Sequence, residues 1–257
     1  MDRIKELLDA KGENILSVFY TAGFPHLDDT VRIGEALDKA GVDLIELGVP
    51  FSDPLADGPV IQDSSRRALD NGMHLPLLLE QVAVLRSKVK IPILLMSYLN
   101  PLMQFGIEAL CRQAALAGVD GFIIPDLPLE VYRCEYKSIF RAHGLSNIML
   151  IAPATPDQRI REIDEATDGF IYAVSASRTT GATRSFTEEQ VHYFDKLKKM
   201  ELNHPVLIGF GIGHAEAFST ACQYGSGAIV GSAFVEWLKH SSDLELDIPK
   251  FVKEIRG

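Results

Sequence analysis

A (β/α)8 barrel with one extra helix at its N-terminal end is the architecture this 257-residue sequence calls for. Three observations lead there. Short apolar runs rich in β-branched residues begin near Ile15, Leu44, Ile91, Phe122, Ile148, Phe170, Val206 and Ala228, which makes eight candidate strands. Between successive runs lies enough chain for a helix apiece. The runs show almost no polar alternation, as expected of parallel strands covered by helices, and a regular order of eight βα units favours closure over an open sheet.

Taken in order, the chain opens on MDRIKELLDA, where charged and apolar residues recur at helical spacing ahead of the first strand. This decade lacks the continuous apolar core of a signal peptide. After the first strand, Val31, Gly34, Leu37 and Ala40/Gly41 recur at three and four, and so do Leu110, Ala114 and Ala117 later on. Ala40-Gly41-Val42-Asp43 leads into Leu44-Ile45-Glu46, and 77 residues further on Ala117-Gly118-Val119-Asp120 leads into Gly121-Phe122-Ile123-Ile124. Each time a glycine ends a helix and an apolar strand follows, so the echo marks equivalent βα units at strands two and four rather than a solenoid. The stretch Ile248 to Ile255 is expected to be an addition outside the barrel, like the first decade. No Ser/Gly/Pro linker or charge block divides the chain, so residues 1–257 are read as a single domain.

Composition removes several function classes. Hydrophobic residues at 47% and charged residues at 23% are ordinary globular proportions, which excludes a disordered or fibrous chain. Thirty-five acidic against 25 basic residues give a net charge of −10, which opposes a broad grip on nucleic acid or an anionic membrane. Any phosphate must therefore be held locally. Apolar runs stop well short of the roughly 18 residues needed to cross a bilayer. Cys111, Cys134 and Cys222 form neither a metal-ligand spacing nor a disulfide framework, and reduced thiols in a cytoplasmic protein are expected. None of the seven histidines falls inside a strand beside a carboxylate, which tells against a metal site, and His214 is expected to face solvent at a helix start.

Reactive groups in such a barrel belong at the carboxyl ends of the strands. Period-two alternation in the second strand puts Leu44, Glu46 and Gly48 on one face, leaving Glu46 in mid-run among apolar neighbours. Burial there should raise its pKa toward the range useful for proton transfer, the competing reading being a structural hydrogen bond to a buried partner. Asp53 and Asp57 follow in a loop stiffened by Pro50, Pro54 and Pro59, and Asp57 suits either catalysis or capping of the helix near Pro59. Strand seven ends in Gly209-Phe210-Gly211-Ile212-Gly213 and strand eight in Gly231-Ser232. Small-residue turns at two adjacent helix starts let backbone N–H groups approach an anion, although each turn alone is explained equally well by tight geometry. The hydroxyl-rich segment Ser175 to Thr187 after strand six has the composition of either a closing lid or an ordinary solvated loop.

These residues together closely resemble the tryptophan synthase alpha chain family over nearly the whole chain. The matching segments are FYTAGFP at 19–25, ELGVPFSDPLADGPVIQ at 46–62, LLMSYLNPLMQFG at 94–106, PDLPLE at 125–130, GFGI at 209–212 and GSAFV at 231–235. The resemblance implies a (β/α)8 barrel that splits indole-3-glycerol phosphate into indole and glyceraldehyde 3-phosphate. It further implies that indole passes to a beta chain carrying pyridoxal phosphate, in an alpha2beta2 tetramer, with no cofactor on this chain. By motif position it makes Glu46 the catalytic acid/base and Asp57 the second catalytic carboxylate. It assigns Phe19 and Tyr172 to the walls of the indole and glycerol pocket, Thr180 and Gly181 to the lid, and Gly211, Gly231 and Ser232 to the phosphate cradle. Pro50 and Asp53 fall in the loop that meets the beta chain.

One segment departs from the family pattern. The family lid usually reads Ser-x-x-Gly-Val-Thr-Gly, whereas this chain has Arg178 and Thr179 in place of the glycine and the valine, and Gly213 replaces a frequent serine. Glycine permits backbone angles closed to Arg, so an alternative function is a weakly active or inactive alpha subunit retained as an allosteric activator of the beta chain. An unrelated phosphate-sugar barrel enzyme would need strand-end histidines or metal ligands.

Overall fold

The computed structural model describes residues 2–174, 186–209 and 211–257. Eight parallel strands form a closed barrel in chain order, β1 (Ile15–Thr21), β2 (Leu44–Gly48), β3 (Ile93–Met96), β4 (Gly121–Ile123), β5 (Ser146–Ile151), β6 (Ile171–Val174), β7 (Val206–Gly209) and β8 (Gly227–Val230). The first strand pairs with both β2 and β8, so no edge is left open. The predicted strand starts hold to within two residues. The third shifts from Ile91 to Ile93 across Pro92, which lacks an N–H for the ladder and contributes only its carbonyl, accepting from the Ile45 N–H at 3.0 Å.

Two apolar clusters follow from the period-two geometry of the strands. Ile15, Leu44, Leu94, Ile123, Ile148, Leu207 and Ile229 point inward and fill the barrel. Their strand neighbours, among them Leu16, Ile45, Leu95, Phe122 and Ile208, point outward into the layer beneath the helices. The N-terminal helix α1 (Arg3–Lys11), capped by the Asp2 carboxylate accepting from the Lys5 N–H at 3.0 Å, closes the amino ends of the strands and sends Ile4 into the inner cluster.

Around the barrel run α2 (Asp29–Lys39), α3 (Pro59–Asp70), α4 (Leu75–Arg86), α5 (Leu99–Phe105) and α6 (Ile107–Ala117). They are followed by α7 (Leu129–Val131), a π-helical turn at Tyr132–Tyr136, α8 (Lys137–Ala142), α9 (Asp157–Ala166), α10 (Glu188–Lys199) and α11 (Ala215–Tyr224). After β8 come a short α12 (Ser232–Leu238) and then α13 (Leu244–Arg256). The expectation that Ile248 to Ile255 lies outside the barrel is corrected here. The segment belongs to α13, which packs on both α11 and α2 and closes the ring of helices, with Ile248, Phe251, Val252 and Ile255 buried. No helix among the described residues is long and apolar enough to cross a membrane.

Candidate active site

The second strand is buried along its whole length, and the inward phase expected for Glu46 is the one observed. Its carboxyl group is fully buried, with Oε1 accepting from the Ser17 hydroxyl at 2.7 Å and no hydrogen-bond partner at Oε2. Burial among apolar inward side chains pushes the Glu46 pKa up to about 7, opposed by the Ser17 hydrogen bond. At neutral pH such a group exchanges a proton readily in either direction.

Above it, a cleft opens at the carboxyl ends of the strands, lined by Phe19, Gly48, Asp57, Met96, Tyr98 and Pro125 among others. Asp57 is half-buried in the loop between β2 and α3. Its Oδ2 accepts from the Tyr98 hydroxyl at 3.0 Å, and that hydroxyl in turn accepts from the Ala56 N–H at 2.9 Å. Burial pushes the Asp57 carboxyl above its ordinary range, again opposed by its one side-chain hydrogen bond. Gln62 fixes the same loop by donating to the Asp57 carbonyl at 2.9 Å. The capping alternative for Asp57 fails, because the N-cap of α3 is Gly58, with no side-chain cap.

Glu46 does not line this cleft. It sits one inward residue below Gly48 and in register with Phe19, and the two carboxylates share Tyr172 as neighbour. Burial, followed by the negative charges of Glu46 and Asp57, raises the Tyr172 phenol well above its usual pKa. Two glycines make room for the aromatic walls. A Cβ at Gly48 would stand 2.5 Å from the Phe19 ring, and one at Gly209 would stand 2.4 Å from the Tyr172 ring, so a side chain at either strand end would push the ring from its place.

Gly231 follows β8 as the N-cap of α12, and a Cβ there would lie 3.7 Å from the Phe19 Cβ, so the turn borders the same cleft. Ser232 is exposed beside it. In the turn after the adjacent β7, Gly211 holds a positive φ of 78°, which a side chain would strain. His214 is half-buried rather than exposed, because its ring caps α11 by accepting from the Ala217 N–H. Thr180 and Gly181, with Arg178 and Thr179, lie outside the described residues. Of the two loop residues expected to meet a partner, Asp53 is exposed and Pro50 is buried.

Sequence reasoning missed Ser17 and Tyr98. Ser17 had a readable signal, a hydroxyl on the inward face of ILSVFYT next to the strand bearing Glu46. Tyr98 had none, since its bond to Asp57 spans 41 residues.

A closed parallel barrel with a buried carboxyl at its centre and a second in the cleft at the carboxyl ends of its strands has the layout of a barrel with its site at that end. The tryptophan synthase alpha chain family profile matches residues 6–254. The tryptophan synthase alpha chain of Flavobacterium johnsoniae is 49% identical over 256 residues, covering 100% of both chains, and that of Bacteroides thetaiotaomicron is 48% identical, covering 97% of this chain and 98% of its own. Among solved structures, tryptophan synthase subunit alpha from Legionella pneumophila superposes with a TM-score of 0.89 at 32% identity, covering 100% of this chain and 97% of its own. A Mycobacterium tuberculosis tryptophan synthase structure gives 0.89 at 30% identity, covering 99% of this chain and 97% of its own. The chain belongs to the tryptophan synthase alpha chain family.

Proposed function

We propose that this chain, as one barrel domain over residues 1–257, is a carbon–carbon lyase that cleaves indole-3-glycerol phosphate to indole and glyceraldehyde 3-phosphate. The observation that carries the reading is Glu46, an inward carboxyl with a pKa of about 7 directly beneath a cleft walled by Phe19 and Asp57 and flanked by Tyr172. The reaction needs a proton delivered to indole C3 and a proton removed from the hydroxyl on the carbon bonded to it. Glu46 gives the first and takes the second, so it ends as it began. Between those transfers the C3–carbon bond breaks, its electron pair returns to the indole ring, and the hydroxyl carbon becomes the aldehyde. Asp57, accepting from the indole N–H, stabilises the positive charge that ring protonation creates.

Phe19 and Tyr172 would sandwich the indole and glycerol portions. The turns at Gly211 and Gly231-Ser232 would hold the phosphate through backbone N–H groups, and neither contains Lys or Arg. Thr180 and Gly181 are assigned to the lid by motif position alone. Because the step is proton transfer between substrate and carboxylates, it calls for no cofactor on this chain, and pyridoxal phosphate belongs to the beta chain. That partner would meet the loop bearing Pro50 and Asp53, in a cytoplasmic alpha2beta2 tetramer. The alternative of an activator without turnover rests on Arg178 and Thr179 alone, and no observation favours it over the lyase.

The test is indole release from indole-3-glycerol phosphate, with and without beta chain. Glu46→Gln should lower turnover by about 10²–10⁴-fold while leaving ligand affinity nearly unchanged, since an amide cannot transfer the proton. Equal turnover in the variant would reject the acid/base role.

A further inference from the structure

The first strand is apolar along its inward face except at Ser17 and Thr21. Ser17 has no exposed surface and pairs across the ladder with Leu44, whereas Phe19 pairs with Glu46. Ser17 therefore stands one inward rung nearer the amino ends of the strands than Glu46. Its hydroxyl nonetheless reaches Glu46 Oε1 at 2.7 Å, so the carboxyl leans down, away from the cleft lined by Phe19, Gly48 and Asp57. Inward side chains around this rung, Leu44, Leu94 and Ile229, offer no polar atom. A buried hydroxyl and a buried carboxyl that lack other partners depend on each other.

We propose that Ser17 is a positioning residue for the lyase step, a latch whose hydrogen bond holds the Glu46 carboxyl below the cleft until substrate draws it upward. The proposal rests on the reading of Glu46 as the acid/base. The single hydrogen bond suits a group that must let go, because Oε2 has no partner among the described residues to give up when the carboxyl swings toward the mouth. Charged and titratable groups facing Glu46 are few. Tyr172 approaches from β6, and burial followed by the negative charges of Glu46 and Asp57 keeps its phenol protonated and uncharged. Ser17 is thus the described neighbour that favours the carboxylate.

The experiment uses the full chain with Ser17→Ala and Ser17→Thr. The Glu46 carboxyl titration is followed in the protein alone by isotope-edited infrared difference against Glu46→Gln, and the pH profile of indole release is measured on the same variants. Ser17→Ala removes a donor to the carboxylate, so the titration should move up by about one pH unit, with the limb of the rate profile that belongs to Glu46 moving with it. Ser17→Thr, which keeps the hydroxyl on a β-branched side chain suited to a strand, should return both toward the parent. An unmoved titration in Ser17→Ala overturns the latch and leaves the acid/base reading standing. A titration that moves while the rate limb stays fixed overturns the acid/base reading, and the part of Ser17 in the reaction with it.

Discussion

The two ends of the barrel treat their carboxylates in opposite ways. At the amino ends, Asp43 accepts from the Lys11 ammonium at 2.6 Å, the Arg256 guanidinium at 2.8 Å and the Leu16 N–H at 2.8 Å. Asp120 accepts from Arg3 at 2.9 Å, Arg86 at 2.7 Å and the Ile93 N–H at 2.8 Å. Asp164 takes both N–H groups of Asn203 and the backbone N–H of His204, and lies 3.0 Å from the His204 ring nitrogen. Toward the carboxyl ends, Glu46 has one hydroxyl and Asp57 one phenol. Satisfied carboxylates at one end tie α1, α4, α9 and α13 to the strands, and under-satisfied ones at the other retain the capacity to accept or release protons.

The largest effect that would sharpen this contrast is loss of a satisfied carboxylate. Asp120→Ala leaves the Arg86 guanidinium, itself mostly buried, without its charge partner and leaves the Ile93 N–H unpaired. Breaking such a pair costs about 3–5 kcal/mol, so the urea midpoint should fall steeply. Indole release per folded molecule should stay at the parent value, because Asp120 stands at the far end from the cleft. A variant with parental stability and damaged turnover would invert the assignment of the two ends.

Second in size is the cost of keeping Glu46. Its folded-state pKa of about 7 exceeds the ordinary 4.5 of the unfolded chain, so the folded protein binds this proton more tightly. The penalty for ionising it is absent below the unfolded value, grows as pH rises and is complete above the folded one. Full ionisation costs on the order of 3 kcal/mol. Glu46→Gln, neutral throughout, should therefore gain stability over the parent as pH rises from about 4.5 to 7 and keep that gain at higher pH. Urea unfolding of both proteins at pH 4, 6 and 8 measures it, and a difference that stays flat with pH would mean that Glu46 is not held in its protonated form.

How much of this was legible follows the same division. Strand positions could be read because each is a local run, and the inward phase of Glu46 because a strand has a period of two. The role of α13 could not, since the helix directly after β8 is the short α12 and nothing local says that the ring is closed by the next one. Asp57 was visible as a candidate but not separable from a cap until Gly58 proved to hold that place. Pro50 was placed by motif in the loop that meets the beta chain, and its burial is a tertiary fact. Ser17 and Tyr98 act on groups 29 and 41 residues away, and no windowed pattern reports a contact of that kind.

The smallest effect concerns Tyr98, whose ring packs on Phe51 at a centroid distance of 5.3 Å while its hydroxyl bridges Asp57 and the Ala56 N–H. Tyr98→Phe keeps the ring contact and removes the bridge. The Tyr98 hydrogen bond is what draws the Asp57 carboxyl down against burial, so without it that carboxyl rises further. Asp57 must be ionised to accept from the indole N–H, and the acid limb of the rate profile that belongs to it should move to higher pH. Losing one such bond is worth about 1 kcal/mol, or roughly a fivefold rise in KM at neutral pH, with kcat changed less because Glu46 is untouched. The readout is the KM-against-kcat split across the pH range. A fall in kcat with KM and the acid limb unchanged would mean that Tyr98 serves the proton transfer rather than the seating of Asp57.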